Sequence, residues 1–591
     1  MSPDPSSPQL TARALLTGMA LGSLLSVCNI YAGLKMGLVF NMSIVTAVIG
    51  TTVWGVLSWA SARRIRPWGL LENNIAQTAG SAAASVASAG LIAAIPTWML
   101  VTGQQLPWLA LSLWVFSVCL VGICAAVGLR RQLIVAERLA FPSGTATAET
   151  LREMHSRERG AATSVLTLLS AAGLAVVLEL YKYIQSLGVI AGPAIGTLGI
   201  PGTVRGHALR SLGFSLAPSP LMIAVGGLIG LRAAASLLIG ATVAFGVIVP
   251  ELLQRQVIEQ PTFSVAVKWL VWPGVTLMVV SALTSLAFSW RSVAAAWRRM
   301  VFRNPPADAA DSGEVRRASF LPALLAVLLL SVVLQGLLFK IVWWAAVLGV
   351  LLSLGLALVV GRVSGETGVN PVAAVAKVTQ VSFGALLPHS PATNLMTSNV
   401  TAGAASQCAD LLDDLKCGYL LGAAPRRQAV AQVCGAAAGA AAGTAACLLL
   451  LRDPAAQLLT AELPAPAVAG MKAVADLFAQ GQSALPTGAG PAMAVTAAAA
   501  VALTLLEKLA PPAWRRWGPS GAGLGLAFVF PAGVSLTVFA GALAAGLGRW
   551  LWPRASGRRL LPLCTGLIVG ETLTGFGTVL HRLAPWRLLG F

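Results

Sequence analysis

Apolar runs of about 20 residues recur along the whole chain, and they limit its possible folds more than any other feature. Segments 108–129, 319–338 and 341–361 contain no charged side chain. An α-helix of about 20 residues is long enough to cross the hydrocarbon core of a bilayer. Of 591 residues, 57% are hydrophobic and 10% are charged, whereas soluble domains carry about a quarter charged residues. We therefore predict an all-α polytopic membrane protein with about 16 transmembrane helices, the count ranging from about 14 to 16.

The net charge of +19 is distributed over short segments between the apolar runs. Segment 291–317 alone contains six arginines. Short cytoplasmic loops of membrane proteins retain Lys and Arg in this way, so the charge does not indicate nucleic-acid binding. The eight cysteines lie mostly in apolar runs, with no CxxC or His-rich neighbour, and predict neither a disulfide framework nor a metal site. No cofactor is expected.

The basic segment divides the sequence near its middle. We predict an N-terminal transmembrane half at 1–290, a basic cytoplasmic linker at 291–318 and a C-terminal transmembrane half at 319–591. "QTAGSAAAS" (77–85) resembles "VTAGAASQ" (400–407), which suggests a duplication of the kind that builds many transporters. Similar Ala- and Gly-rich composition would produce the same likeness. Whether the halves are parallel or inverted is left open.

Small residues recur at four-residue spacing in several apolar runs. The pairs Gly226 with Gly230, and Gly435 with Gly439, are examples. Such spacing lets helix backbones approach closely in lipid, so we predict tight helix packing at these positions.

Polar and ionisable residues inside apolar runs are the candidates for function, because hydrocarbon penalises them. The chain has four such clusters, in "NIYAGLKMG", "LENNIAQTAGS", "GETGVNPVAAVAKVTQ" with its continuation, and "LIVGETLTGFG". We predict that the substrate-binding side chains are Asn29, Tyr31, Lys35, Asn73, Gln77, Asn370, Lys377, Gln380, Asn394 and Asn399. We predict that the proton-coupling carboxylates are Glu571, Glu72 and Glu366.

Two of these residues have alternative interpretations. Lys35 could extend its ammonium group to the membrane interface while its stem lies in lipid. Glu72 could be a first-turn residue that the helix dipole favours. Glu571 has about ten apolar or small residues on either side, so a functional role is favoured.

Asn370-Pro371 predicts a helix start or break, because proline disfavours helical geometry in the preceding residue. A broken helix exposes N–H groups that suit a carboxylate. Phe141-Pro142 permits the same interpretation or an ordinary helix start.

Five motifs in order resemble the oligopeptide transporter family, and most closely its bacterial branch, which is related to the yellow-stripe-like metal-chelate carriers. They are "NIYAGLKMG", "ENNIAQTAGS", "LAFPSGTATAE", "TNLMTSNVTAGAASQCADLLDDLKCGYLLGAAPRRQ" and "GLIVGETLTG". The resemblance implies about sixteen helices and proton-coupled uptake of small peptides or peptide-like metal chelates. A site for a zwitterionic peptide needs a cation, an anion and amides, and the four clusters contain them.

We therefore expect a secondary active transporter in the cell membrane that works by alternating access. Lys35 or Lys377 would bind a substrate carboxylate. The partners of the transporter would be a small-molecule substrate, protons and the lipid bilayer, and no nucleic acid. A homo-oligomer is compatible with the sequence. The alternatives are a channel or passive facilitator, for which no filter motif is found, and a membrane-embedded enzyme or scaffold. The four histidines form no HExxH, and no Walker A pattern is present.

We predict that segment 291–317 is cytoplasmic, because its arginines oppose translocation. Cysteines introduced at Ser312 and Ala318 should therefore resist an impermeant thiol reagent in intact cells. Robust labelling there would overturn the orientation.

Overall fold

The computed structural model describes residues 8–61, 64–155, 160–188, 197–302, 317–368, 370, 372–511 and 518–583. These residues form 21 α-helices and four two-residue strands. In chain order the elements are α1 (Ala12–Met36), α2 (Ser43–Ala60), α3 (Leu70–Ser85), α4 (Ala94–Thr102), α5 (Trp108–Arg130), α6 (Pro142–His155), α7 (Gly160–Ser186), β1 (Leu198–Gly199), β2 (Thr203–Val204), β3 (His207–Ala208), β4 (Ser215–Leu216), α8 (Pro220–Ala241), α9 (Val249–Gln254), α10 (Phe263–Phe302), α11 (Arg317–Phe339), α12 (Trp343–Thr367), α13 (Val372–Leu386), α14 (Pro391–Leu421), α15 (Pro425–Leu450), α16 (Pro454–Gln457), α17 (Pro466–Gln480), α18 (Ala489–Leu509), α19 (Gly521–Ala527), α20 (Ala532–Leu551) and α21 (Pro553–Leu583).

The first of two compact units comprises Met1–Ile30, Leu38–Val165 and Ser289–Leu449. Its central helix is α14, which packs against α12, α5, α13, α6 and α3. Of the 31 residues of α14, 25 are buried, and 15 of the 16 residues of α3 are buried as well. Both helices carry many polar side chains, so these side chains must find partners inside the protein.

The second compact unit comprises Tyr31–Gly37, Leu166–Phe288 and Leu450–Phe591. Here α8 packs against α20, α19 and α21. The strands precede α8: β1 pairs with β4 and β2 pairs with β3, both antiparallel. Each compact unit contains segments from both predicted halves, 1–290 and 319–591. The division of the chain into these two halves stays a prediction.

The predicted class, an all-α polytopic membrane protein, is confirmed. Among the described residues, thirteen helical segments are long and apolar enough to cross a membrane. Leu321, Leu325 and Leu329 of α11 are exposed, as expected of side chains that contact lipid. Helix α14 is also long enough to span, but it carries four ionisable residues and does not count as apolar.

Several helices are interrupted, as the sequence predicted. Helix α12 ends at Thr367 and α13 begins at Val372, with Asn370 between them. Helix α8 breaks at Gly230, whose φ of 81° lies in the left-handed region, where glycine is tolerated without strain. Helix α6 begins at Pro142. The predicted linker 291–318 begins inside α10, which continues to Phe302, and 303–316 lie outside the described residues.

The predicted glycine packing is confirmed where α15 meets α3. A Cβ added at Gly435 would lie 2.0 Å from the carbonyl oxygen of Ala79, and one added at Gly439 would lie 2.3 Å from that of Ala83. These are backbone atoms of a buried helix and cannot move aside independently. Glycine is therefore required for the observed helix separation.

Gly435→Ala should destabilise the protein by at least the ~1–3 kcal/mol typical of overpacking, because its Cβ would collide with the α3 backbone. Gly546→Ala in α20 is the matched control, since a Cβ there meets nothing within 4 Å. The control should be neutral or stabilising by up to about 1 kcal/mol through helix propensity. Thermal unfolding in detergent micelles compares the two, and equal stability of both variants would contradict the packing argument.

Candidate functional site

A buried ion pair joins Lys35 and Glu571 within the second unit. Lys35 lies in the last turn of α1, and Glu571 lies in α21, 536 positions later in the sequence. The Lys35 Nζ is 2.9 Å from the Glu571 Oε1, and the side chains are 18% and 2% exposed. Each residue was predicted separately as functional, and the structure brings them together.

Glu571 also lies at the start of α8, which supplies further hydrogen-bond donors. The Ser219 Oγ is 2.9 Å from both carboxylate oxygens, and the Leu221 backbone N–H donates to the Oε2 at 2.8 Å. Pro220 occupies the first helical position. Proline has no N–H, but an N–H at this position would have no partner within the helix. The positive end of the α8 dipole therefore favours the ionised carboxylate.

Aromatic and charged groups surround the pair. The Lys35 Nζ lies 5.6 Å from the centroid of the Tyr31 ring, which is within the range of cation–π attraction. On α7, Glu179 pairs with Lys182 at 2.6 Å, and Lys182 also donates to the Pro218 carbonyl oxygen. The charge of Glu179 acts on both Lys35 and Glu571. Lys35, Lys182, Glu179 and Glu571 thus form two ion pairs in one cluster, and the charge of Glu462 also acts on Tyr31.

An ion pair of this kind can exchange partners with a zwitterion. A substrate carboxylate would replace Glu571 beside Lys35, and a substrate ammonium would replace Lys35 beside Glu571. The exchange conserves the number of ion pairs, so neither protein charge is left unpaired in the buried site, which would cost several kcal/mol.

Asn29, in the first unit, has both amide hydrogens and its amide oxygen bonded to backbone groups. Its Nδ2 donates to the carbonyl oxygens of Phe40 and Ala84, each at 3.0 Å, and its Oδ1 accepts from the Phe40 N–H at 3.2 Å. These bonds provide hydrogen-bond partners for backbone groups of Phe40, which follows α1, and of Ala84 in α3. Its predicted substrate-binding role stays a prediction.

The polar residues of α3 fall into two groups. At the start of the helix, Glu72 pairs with Arg13 and Arg66, and accepts hydrogen bonds from Thr11 and the Gly69 N–H. This is the arrangement expected from the helix-dipole interpretation of Glu72.

Deeper in α3, Asn73 and Gln77 are fully buried. The Asn73 Nδ2 donates to the Thr51 Oγ1 at 2.8 Å, and the Gln77 Nε2 donates to the Asn74 Oδ1 at 3.3 Å. The Asn73 Oδ1 and the Gln77 Oε1 have no hydrogen-bond partner. Both side chains therefore retain an acceptor for a further donor.

A third group lies on α13 and α14 of the first unit. The Lys377 Nζ donates to the Gln380 Oε1 at 3.0 Å, and the Asn394 Nδ2 donates to the Gln380 carbonyl oxygen at 2.7 Å. Asn399 lies against Gly90, where a Cβ would be 2.4 Å from its Oδ1. The structure thus brings Lys377, Gln380 and Asn394 together.

Two predicted residues near the α12–α13 break are exposed. Asn370 lies in the gap between these helices. Glu366 pairs with Arg362 at 2.9 Å, its side chain 42% exposed, and Arg362 also pairs with Glu137 at 2.6 Å. Their substrate-binding and proton-coupling roles stay predictions.

Sequence reasoning missed several residues that the structure places in these sites. Ser219 gave no local signal, whereas Glu179 lies within the apolar span Val165–Ser186 and was overlooked there. The three aspartates of α14, Asp410, Asp413 and Asp414, did give a signal: carboxylates in a long hydrophobic segment are candidates by default. Within the parts of the chain that the structure describes, no group of three or more His, Cys, Asp and Glu is placed to hold a metal ion.

Comparison with known proteins identifies the family. The sequence model of the family described as "OPT oligopeptide transporter protein" matches residues 9–581. A Saccharomyces cerevisiae protein named "Putative oligopeptide transporter" is 24% identical over 557 residues, which cover 73% of this chain and 76% of the relative. A metal-nicotianamine transporter of Arabidopsis thaliana is 23% identical over 649 residues, covering 99% and 95%.

A protein of Haemophilus influenzae, with the same name as the yeast relative, is 30% identical over 223 residues, covering 37% of this chain and 32% of the relative. All three relatives bear the names of transporters. The family match extends over nearly the whole sequence, and the described helices include thirteen that can cross a bilayer. The chain therefore belongs to the OPT oligopeptide transporter family and is an integral, multi-pass membrane transporter.

Proposed function

We propose that the protein is a secondary active transporter of the cell membrane that carries small oligopeptides or peptide-like metal chelates together with protons, by alternating access. The Lys35–Glu571 ion pair carries this proposal. Family membership and the relatives' names, oligopeptide transporter and metal-nicotianamine transporter, support the substrate class.

The chemistry of the pair suits these substrates. A free peptide carries a carboxylate and an ammonium group, and nicotianamine chelates carry several carboxylates. Lys35 would bind a carboxylate, while Tyr31 and Glu179 would line the same site. A hydrogen bond to a charged group contributes about 1.5–3 kcal/mol, which is enough to select charged ligands.

The same pair can couple a proton to substrate binding. A proton added to a Glu571 carboxylate oxygen forms a neutral acid and removes most of its attraction for Lys35. The ammonium group of Lys35 is then available to a substrate carboxylate, and the proton takes the place of a substrate ammonium beside Glu571. Proton binding and substrate binding therefore favour one another, and such coupling is reciprocal.

The double variant Lys35→Met/Glu571→Gln should fold but should transport a free dipeptide much more slowly than the unmodified protein. Removing only Lys35 would leave a buried carboxylate unpaired, at a cost of about 3–5 kcal/mol, whereas removing both charges avoids that cost. Losing one charge-assisted hydrogen bond should reduce dialanine uptake by about tenfold or more. Uptake into proteoliposomes and thermal stability are measured in parallel.

Glu251→Gln is the matched control, because Glu251 forms exposed ion pairs with Arg205 and Arg255. This variant should transport normally.

The same assay with an iron chelate of nicotianamine distinguishes the two substrate classes. If the double variant transports as well as the unmodified protein, the pair is structural only. If neither compound is transported by the unmodified protein, the proposed substrate class is wrong.

Glu571→Gln alone mimics the protonated acid and removes its titration. Exchange of dialanine across the membrane at symmetric pH should survive, because exchange requires no net proton release. Accumulation driven by an inward proton gradient should be lost, because the amide cannot release a proton on the inner side. Both activities are measured in one proteoliposome preparation. Accumulation that persists would remove Glu571 from proton coupling, and equilibration without accumulation by the unmodified protein would indicate a passive facilitator.

A further inference from the structure

Three carboxylates lie on one face of α14 in the first unit. Asp410, Asp413 and Asp414 occupy positions i, i+3 and i+4, which face the same side of an α-helix. They are 8%, 4% and 1% exposed. We call these residues the aspartate triad. Ionised together, they would place three like charges in a largely dry interior, which is strongly unfavourable.

Two helix N-termini provide the positive potential near the triad. Asp413 accepts a hydrogen bond from the backbone N–H of Gly144, in the first turn of α6. Asp414 accepts from the Oγ of Ser43, the first residue of α2, at 3.2 Å. Each helix N-terminus is equivalent to about half a positive charge. Together they offset about one of three negative charges and leave about two uncompensated.

The basic side chains near this part of the unit have other partners. The Lys416 Nζ donates to the Leu139 carbonyl oxygen at 2.7 Å, and Arg152 donates to that of Leu420. Arg362 of α12 is held by Glu137 and Glu366.

Among the residues that the structure describes, three thiols also lie in the field of the triad. Cys119 lies on α5, and Cys408 and Cys417 lie on α14. Neutral thiols do not compensate carboxylate charge. The charge imbalance is therefore not removed by these neighbours.

The hydrogen-bond inventory shows the same imbalance independently. Acceptor atoms without a partner are the Asp413 Oδ1, the Asp414 Oδ2, the Gln77 Oε1 and the Gln428 Oε1. Gln77 is fully buried and its side chain is directed at Asp414. Gln428, also fully buried, donates its Nε2 to the Asp414 carbonyl oxygen at 2.7 Å. The Asn74 Nδ2, a buried donor beside Gln77, also has no partner. Acceptors without a partner therefore outnumber such donors here, and buried acceptors without donors are costly.

We propose that the aspartate triad is a proton-binding site of the first unit. A proton bound to a carboxylate oxygen forms an O–H group, which removes one negative charge and donates to a neighbouring acceptor such as the Gln77 Oε1. About two protons satisfy the charge balance. The further claim, that at least one of these protons is transported, rests on the proposed proton-coupled function.

Infrared spectroscopy tests proton occupancy without any transport. At neutral pH the unmodified protein should show carbonyl absorption of protonated carboxylic acids that is absent from Asp410→Asn/Asp413→Asn/Asp414→Asn. Asp453→Asn is the matched control, because Asp453 is exposed and caps α16. It should leave the absorption unchanged. Asparagine resembles a protonated aspartate in charge and shape, so the triple variant should remain folded.

Two infrared results would overturn the proposal. The first is the absence of any acid absorption that depends on the triad. The second is loss of that absorption when potassium chloride is replaced by sodium chloride, which would reassign the site to sodium. If the triple variant does not fold, the three single variants replace it. Each should then remove part of the absorption, and no change in all three would also reject the proposal.

Transport then tests whether a triad proton is carried. A variant that carries one proton fewer per cycle should reach a lower limiting ratio of internal to external dialanine. The ratio should fall about tenfold for each unit of imposed pH difference, because one pH unit and a tenfold concentration ratio both correspond to about 1.4 kcal/mol. Exchange at symmetric pH should persist. Asp413→Glu, which restores a titratable group, should accumulate more than Asp413→Asn.

Unchanged accumulation in all Asn variants would reject carriage of a triad proton. The Lys35 and Glu571 experiments do not depend on this result. The two proposals can also fail separately. If the acid absorption is observed but neither compound is transported, the proton site stands and the proposed transport function is rejected.

Discussion

A charged side chain inside an apolar helix bundle must find its counter-charge or its hydrogen bonds within the protein, and the rest of this structure depends on that constraint. Glu571 illustrates it. Its carboxylate is held by the Lys35 ammonium, the Ser219 hydroxyl and the Leu221 N–H. These partners come from the end of α1 and the start of α8. The charge on α21 therefore contacts the end of one helix and the start of another within the second unit.

The nature of the partners separates fixed carboxylates from exchangeable ones. Glu72 is bound by two arginines, a threonine hydroxyl and a backbone N–H at the beginning of its own helix. Glu571 has a single cationic partner, and that partner is a lysine, whose flexible stem can turn to another anion. Neutralising Glu571 thus changes the environment of Lys35 more than that of the α8 terminus. An ion pair with one mobile member is suited to exchange with a ligand, whereas a carboxylate clamped by two arginines is suited to structure.

The sequence predicted the fold class and individual candidates, but not their pairing. Apolar runs are local and identify spans directly, and the cost of an intramembrane charge singles out Lys35 and Glu571 separately. Their contact joins positions 536 residues apart and depends on helix packing. Ser219 contributes through its place before Pro220 at a helix start, which only the three-dimensional arrangement reveals. The aspartates of α14 were visible as intramembrane charges, but their burial and shortage of donors were not.

The two clusters differ in the signs of the charges they contain, and this difference supports a different proposed ligand for each. The site around Lys35 and Glu571 contains two ion pairs, and a zwitterion, which has no net charge, would enter and leave it without changing the local charge. The aspartate triad contains only acids, offset in part by two helix termini, so it is satisfied by protons and would repel a substrate carboxylate. A zwitterion gains nothing at the triad, because its ammonium would be bound at the expense of burying its carboxylate beside like charges. Charge balance therefore supports the proposals made above: peptide-like ligands and one coupled proton at the Lys35–Glu571 pair of the second unit, and further protons at the aspartate triad of the first.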